Sequence, residues 1–332
     1  MQLNLISDRM RPSSTSIWER LPKPFTVLAP MEDVTDTVFR RLIIGIGRPD
    51  LFYTEFTSSE GLRSEHGREK VHHRLEFDPV EHPIIAQIWG KDPEAYAFGS
   101  KYAIDLGFDG IDINMGCAVK KVIKQGCCSA LMKDRGLATE IIRATQENSS
   151  GKSVSVKTRL GFSKIETEDW ISFLLEYNLS ALAIHGRSVI QQSKGVANWD
   201  EIAKAVKIRD SIAPQTLIIG NGDVSTREQL LTYPAKYGVD GIMIGRGIFQ
   251  DPWIFSDQGP DDVQRSDELL RLGLQHIRSF GEYWEERKNA DILKRFMKIY
   301  VRDIPGGSLL RDKLLHSKDL HEMERTLQDH IS

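Results

Sequence analysis

The sequence predicts an α/β protein: a closed (β/α)8 TIM barrel carrying a C-terminal helical bundle. Three observations predict it. Eight short β-branched apolar runs fall between residues 24 and 255. Segments of helical length separate them, as parallel strands joined by crossover helices require. The first run leads into APMEDVTD rather than a GxGxxG turn, which disfavours a doubly wound dinucleotide fold.

The runs are Phe25–Ala29, Leu51–Phe56, Ile84–Trp89, Gly110–Asn114, Val154–Thr158, Ala181–His185, Thr216–Gly220 and Gly241–Gly245. Each has the length of a buried parallel strand. Between them, Asp92-Pro93 reads as an N-cap followed by proline at the first helical position. Thr167–Asn178 carries acidic residues in its first turn and apolar residues at helical spacing. STREQL places a capping box at Ser225 and Glu228. Beyond Asp257–Asp262, a predicted linker, the strands stop. Ser266–Phe280, Trp284–Tyr300 and Leu309–Leu327 read as helices, with Pro305-Gly306-Gly307 as a turn.

The composition is that of an ordinary globular protein, with 40% hydrophobic and 27% charged residues and a formal charge of −3. That charge makes no general case for nucleic-acid binding, although local patches matter more than sums. The tail concentrates Arg287, Lys288, Lys294, Arg295, Lys298, Arg302, Arg311 and Lys313. They read either as solvated helix faces or as a nucleic-acid footprint. The 3 cysteines, Cys117, Cys127 and Cys128, do not describe a disulfide framework. With no signal-peptide pattern and no run of about eighteen apolar residues, a cytoplasmic protein without a membrane segment is expected. No obligate protein partner is evident.

Barrel enzymes place their chemistry at the C-terminal ends of the strands, and here those ends are polar or glycine-rich. They carry Glu55, Gln87, Asn114 to Cys117, Lys157 with Arg159, His185 to Arg187, Asn221 to Asp223, and Gly245 to Gly247. The set suits a flavin. An amide such as Gln87 matches the alternating donors and acceptors of the ring edge. Lys157 meets negative charge growing at N1–C2=O, unless it pairs with a barrel carboxylate. His185 adds a donor, or serves a structural hydrogen bond. Asn221-Gly222-Asp223 and Gly245-Arg246 lie after the strands where barrels often bind phosphate. One such device fits FMN rather than FAD.

Cys117 directly follows a strand, with Lys120 and Lys121 nearby to lower its pKa. A thiol there is placed to protonate a substrate carbon, or else packs as a small hydrophobe. Cys127 and Cys128 are expected mostly to pack, with a redox pairing to Cys117 as the alternative. His66, His72 and His73 lack a ligand spacing, so no metal site is expected. The absence of GxSxG argues against a Ser/His/Asp hydrolase.

Taken in order, APMEDVTD (29–36), TEFTS (54–58), QIWG (87–90), DINMGCAVKK (112–121), VKTRLG (156–161), IHGR (184–187), GNGDV (220–224) and GIMIGRGIFQDPWIF (241–255) resemble the tRNA-dihydrouridine synthases. These are FMN enzymes that reduce uridine in RNA with NADPH or NADH. The resemblance is strong over about residues 24–255 and looser in the tail. It implies an N-terminal extension over 1–23, an FMN-binding catalytic barrel over 24–256 and a helical RNA-binding domain over 263–332. It implies that Cys117 protonates uracil C5 while hydride reaches C6. Gln87, Lys157 and His185 would hold the ring, and Pro30 and Met31 would pack near it. Asn221, Gly222, Asp223, Gly245 and Arg246 would take the ribityl and phosphate end, and Asn114 and Arg187 would face the substrate.

Transfer RNA is the implied partner, with ribosomal RNA and small-molecule flavin chemistry as alternatives. One departure is Ala118, where the family commonly has proline. Proline fixes φ and removes a donor, so either a neighbouring contact holds Cys117 here or its loop is more mobile. Cys127-Cys128 also stands where small residues such as glycine or alanine are expected.

Overall fold

The computed structural model describes residues 16–302 and 304–331; residues 1–15 of the expected N-terminal extension lie outside that range. Eight parallel strands form the body: β1 (Phe25–Leu28), β2 (Leu51–Tyr53), β3 (Ile84–Trp89), β4 (Gly110–Asn114), β5 (Ser153–Arg159), β6 (Ala181–His185), β7 (Leu217–Asn221) and β8 (Gly241–Ile244). Each pairs with the next, and β8 returns to β1 with Phe25 beside Gly241 and Leu28 beside Ile244. The sheet is closed, so the barrel has no edge strand to protect. Thr57 and Ser58 add a two-residue pairing beside β3. The expected strand over 51–56 is thus split.

Strand side chains alternate between the barrel interior and the surrounding helices. Phe25, Val27, Leu51, Tyr53, Ile85, Ala181, Ala183, Leu217, Ile219 and Met243 form one buried cluster, joined by Ile17, Trp18 and Leu21. The Trp18 and Phe25 rings meet at 5.9 Å, so the short helix Ile17–Arg20 closes the end of the barrel where the strands begin. At Gly241 a Cβ would come within 2.5 Å of the Phe25 ring, so only glycine fits there.

The outer helices start where their caps are. Asp92 accepts from the Glu94 N–H ahead of Pro93–Asp105. The capping box before Arg227–Tyr237 sits one residue later than expected, at Thr226 and Gln229. Ser225 N–H instead donates to the Gln229 side chain at 2.9 Å, which draws Ser225 into the preceding loop. The helix expected over 167–178 ends at Leu175.

The tail is helical but differently divided. Arg265–Trp284 is one long helix, and Glu285 then turns with φ 48° and ψ −122°. The expected helix over 284–300 is broken into a 3-10 turn at Ala290–Arg295 and a single α turn at Met297–Tyr300. Gly307–His316 and Leu320–Gln328 follow. The break has a cause in side-chain chemistry. Between the long helix and the 3-10 turn, Lys288 passes into the barrel mouth and ends on Asp36 at 3.1 Å and Glu55 at 3.2 Å. A straight helix cannot make that detour.

The long helix lays its apolar face on the barrel helix Thr37–Ile46. The Phe39 ring meets Phe296 at 5.2 Å and His276 at 5.7 Å. Trp284 is fully buried and donates its indole N–H to Asp36 at 2.8 Å. The tail is therefore seated on the first βα loop, beside the mouth.

Candidate active site

The mouth is built from inward-facing strand ends, starting with a buried polar ladder. Register puts Gln87 beside Asp112, and Asp112 beside Ser155. Gln87 Nε2 donates to Asp112 at 2.7 Å, and Ser155 Oγ donates to the other carboxylate oxygen at 2.6 Å. Asn114 Nδ2 donates to Gln87 Oε1 at 2.9 Å, while Asn114 Oδ1 accepts from the Gly116 and Cys117 N–H groups at 3.1 and 3.0 Å. Burial pushes the Asp112 carboxyl up to about 6 against the hydrogen bonds of Ser155 and Gln87. Asp112 was not singled out by sequence reasoning. Its signal was the period-two spacing in GIDIN, which sets it on the same strand face as Asn114.

This ladder holds the Cys117 loop despite Ala118. Ser129 Oγ donates to Cys117 O at 2.6 Å, and Arg159 Nε donates to Gly116 O at 2.7 Å. Neighbouring contacts thus do what a ring-locked backbone would otherwise do.

The Cys117 thiol is lowered to about 7, first by a hydrogen bond from Cys128, then, against burial, by the Val119 N–H and the Arg159 charge. Lys120 and Lys121, expected to supply the lowering, stand on a short helix with no buried residue. They are not among its causes. Cys128 is fully buried with φ 55°, a left-handed conformation that favours glycine and costs a side-chain-bearing residue about 1–2 kcal/mol. Its thiol is pushed well up by burial and by Cys117. A neutral donor beneath a readily ionised Cys117 is the result.

On the strand that carries Ser155, Lys157 lies beside Asn114 in register, and its Nζ reaches Asn221 Oδ1 at 3.3 Å. Burial and then the Arg159 charge lower it to about 8, while Asp112 and Cys117 work the other way. No carboxylate lies within ion-pair distance of it among the described residues. His185 is held far below the ordinary imidazole range by burial, then by Arg159, Lys157, Arg187 and Arg246. It is neutral. Because an arginine only donates, the 3.1 Å contact from Arg187 Nη1 makes Nε2 the acceptor and leaves the proton on Nδ1.

Arg187 is 1% exposed. It donates to Asp223 at 2.5 Å, to Gly195 O at 2.5 Å and to Lys194 O at 3.2 Å. Asp223, also held by Ala197 N–H at 2.8 Å, stays below the usual carboxylate range despite partial burial. These bonds stabilise the turn in which Gly222 and Asp223 have φ of 128° and 55°. A Cβ at Gly222 would meet Ala197 at 2.7 Å and His185 at 3.1 Å.

Above these residues opens a cavity of about 650 Å3. Its lining takes in Pro30 and Met31 after β1, with Lys157 and His185. Asn221, Gly222 and Asp223 follow β7, and Gly245 and Arg246 follow β8. Every residue expected to bind the cofactor lines it except Gln87. Gln87 is fully buried and belongs to the ladder beneath. Cys117, Asn114 and Arg187 also lie outside the lining. Cys117 is half-buried on its loop, close enough to Lys157 for the thiolate charge to raise the lysine pKa. Sequence reasoning did not place Lys298, Ile299 and Arg302 at this cavity, yet the tail brings all three to its rim. Their signal is absent from the chain, because it depends on how the tail docks.

Among the described residues, no group of three or more His, Cys, Asp or Glu side chains gathers that could hold a metal ion. His72 meets the Tyr102 hydroxyl at 3.0 Å, and His73 stands edge-on to Trp284.

Comparison with known proteins decides the family. A model described as dihydrouridine synthase (Dus) matches residues 27–332. The chain belongs to the dihydrouridine synthase family. A probable tRNA-dihydrouridine synthase of Staphylococcus aureus (strain Mu50 / ATCC 700699) is 43% identical over 316 residues, covering 95% of both chains. Probable tRNA-dihydrouridine synthase 2 of Bacillus subtilis (strain 168) is also 43% identical over 316 residues, covering 95% of this chain and 96% of its own. Among solved structures, 6-hydroxypseudooxynicotine amine oxidase from Pseudomonas geniculata N1 overlays with a TM-score of 0.54 at 11% identity, over 77% of this chain and 50% of that one. That likeness concerns the fold alone. Among the described residues no helix is long and apolar enough to cross a membrane.

Proposed function

We propose that this dihydrouridine synthase reduces uridines of transfer RNA to 5,6-dihydrouridine. FMN, recharged by NADPH or NADH, is the proposed hydride source, and Cys117 is the proposed acid. The observation that carries the reading is a cavity whose cations and glycine-bearing loops match a phosphorylated flavin, with a thiol of depressed pKa beside it. Gly245 supports the fit directly. A Cβ there would find only ordinary contacts, Ala29 at 3.7 Å and Met31 at 3.9 Å, so the missing side chain leaves room in the cavity wall.

FMN, when bound, supplies hydride to uracil C6. Lys157, half-buried and without a carboxylate in ion-pair distance among the described residues, is suited to an edge that gains negative charge. His185 offers Nδ1–H as a fixed donor, and Met31 and Pro30 offer an apolar surface. The loops after β7 and β8 present backbone N–H groups and Arg246 to the phosphate. Cys117 gives its proton to C5, and a pKa near the working pH suits a general acid. Gln87, Asn114 and Arg187 are engaged with protein partners. That arrangement supports positioning roles: Asn114 for the Cys117 loop, Arg187 for His185 and Asp223.

The helical region over about 263–332 is proposed as the part that clamps the RNA, with a cytoplasmic site of action. The target base must leave its stack to reach the mouth. Phosphate contacts by surface cations make binding weaken steeply with salt. The test uses purified protein with its native flavin content, NADPH and transfer RNA lacking dihydrouridine. Bound FMN and dihydrouridine formation matched to NADPH oxidation are expected. Protein without FMN, or NADPH oxidation without RNA reduction, would contradict the reading, and ribosomal RNA in parallel identifies the substrate class.

A further inference from the structure

We infer that Lys298, carried by the helical tail, binds the phosphate of the cofactor, so that the bound cofactor ties the tail to the barrel. The inference rests on the FMN reading above. The tail's other cations facing the barrel already have partners there. Arg265 ends on Asp251 at 2.7 Å, Arg287 on Glu76 at 2.7 Å, and Arg295 on Asp33 at 3.2 Å. Lys288 is spent on Asp36 and Glu55. Arg302 donates to the backbone carbonyls of Phe249 and Gln250. These cations hold the tail to the barrel.

Lys298 differs. It lines the cavity together with Arg246 and the Gly222 and Gly245 loops, and it makes no ion pair with a carboxylate among the described residues. The acidic residue of that cavity, Asp223, already has Arg187 at 2.5 Å and only a long 3.9 Å approach from Arg246. The phosphate end therefore presents two cations in excess, one from the barrel and one from the tail. A phosphate monoester near neutral pH carries a charge of about −1.5 to −2, which two such groups match.

The placement of Lys298 is also fixed. Its neighbours Met297, Ile299 and Tyr300 are all buried. Gly273 of the long helix packs on the Tyr300 ring so closely that a Cβ would lie 2.8 Å away. The turn bearing Lys298 is thus locked in the tail's core, while Lys298 itself is exposed and lines the cavity.

Riboflavin has the same ring and ribityl chain as FMN but no phosphate, and this separates a phosphate contact from a general structural role. Apoprotein is titrated with each ligand by flavin fluorescence quenching, for wild type, Lys298→Ala, Lys298→Arg and Lys313→Ala. Lys298→Ala is expected to weaken FMN about tenfold, the size of one charge-assisted contact at an open site. Its riboflavin affinity should be unchanged, Lys298→Arg should retain most FMN affinity, and Lys313→Ala should match wild type. Equal weakening of both ligands, or undiminished FMN binding by Lys298→Ala, overturns the inference. Wild-type apoprotein that binds neither ligand overturns the flavin reading itself, and the inference with it.

Discussion

Asn114 accepts the backbone N–H of Cys117 at 3.0 Å while donating to Gln87 at 2.9 Å, which links the proposed acid to the buried Asp112. The thiol is therefore aimed by a strand rather than by its own loop. Asn114→Ala removes that link and leaves Gln87 and two backbone donors short of a partner, at a cost of about 1–3 kcal/mol. The expected outcome is a fall of at least tenfold in the rate at which RNA reoxidises the reduced enzyme. The flavin absorbance and the rate of reduction by NADPH should be unchanged. Stopped-flow measurement of the two half-reactions checks it.

The pH dependence of that RNA-dependent step follows from the thiol. Its proton must be present to be given, so the rate should fall as pH rises above about 7. The Cys128 hydrogen bond is the first cause of the lowering, so Cys128→Ala should move the break to higher pH. A rate profile between pH 6 and 9 for both proteins checks this. An unmoved break would assign the lowering to Arg159 and Val119 instead.

Lys288 makes a different kind of prediction, one of stability. Its ammonium lies between two carboxylates, with all three groups buried. Lys288→Met leaves those acids without it, at about 3–5 kcal/mol. Burial raises the Glu55 pKa, and Lys288 opposes that rise. A group with a raised folded-state pKa loses stability as pH rises through that value. Removing the opposing lysine raises it further. The variant's deficit should therefore be larger at pH 7 than at pH 5, read from denaturant unfolding with Lys288→Arg as the conservative comparison.

The barrel was legible because strand runs and helix caps are local signals. Eight runs, Asp92-Pro93 and the polar strand ends each declare themselves within a few residues, and they carried Lys157, His185, Asn221 and Gly245 to the mouth. What escaped depends on packing. The capping box moved from Ser225 to Thr226 because Gln229 binds both loop N–H groups. The helix over 284–300 broke because Lys288 finds its partners in the barrel. The depressed Cys117 pKa was expected, but its source was misplaced. Lys120 and Lys121 are near in sequence, whereas Cys128 and Arg159 are near in space. Asp112 and Lys298 were missed for related reasons, the first hidden in a short apolar run and the second placed only by the docked tail.

Proton delivery by Cys117 is the step on which the proposed reaction turns. It is tested most directly by reducing wild type and Cys117→Ala with NADPH in the absence of oxygen. Each is then mixed with transfer RNA lacking dihydrouridine while flavin reoxidation is followed. Normal reduction by NADPH and RNA-dependent reoxidation slowed about 10²–10⁴-fold in the variant are expected. Reoxidation by Cys117→Ala at the wild-type rate, with dihydrouridine formed, would contradict that role.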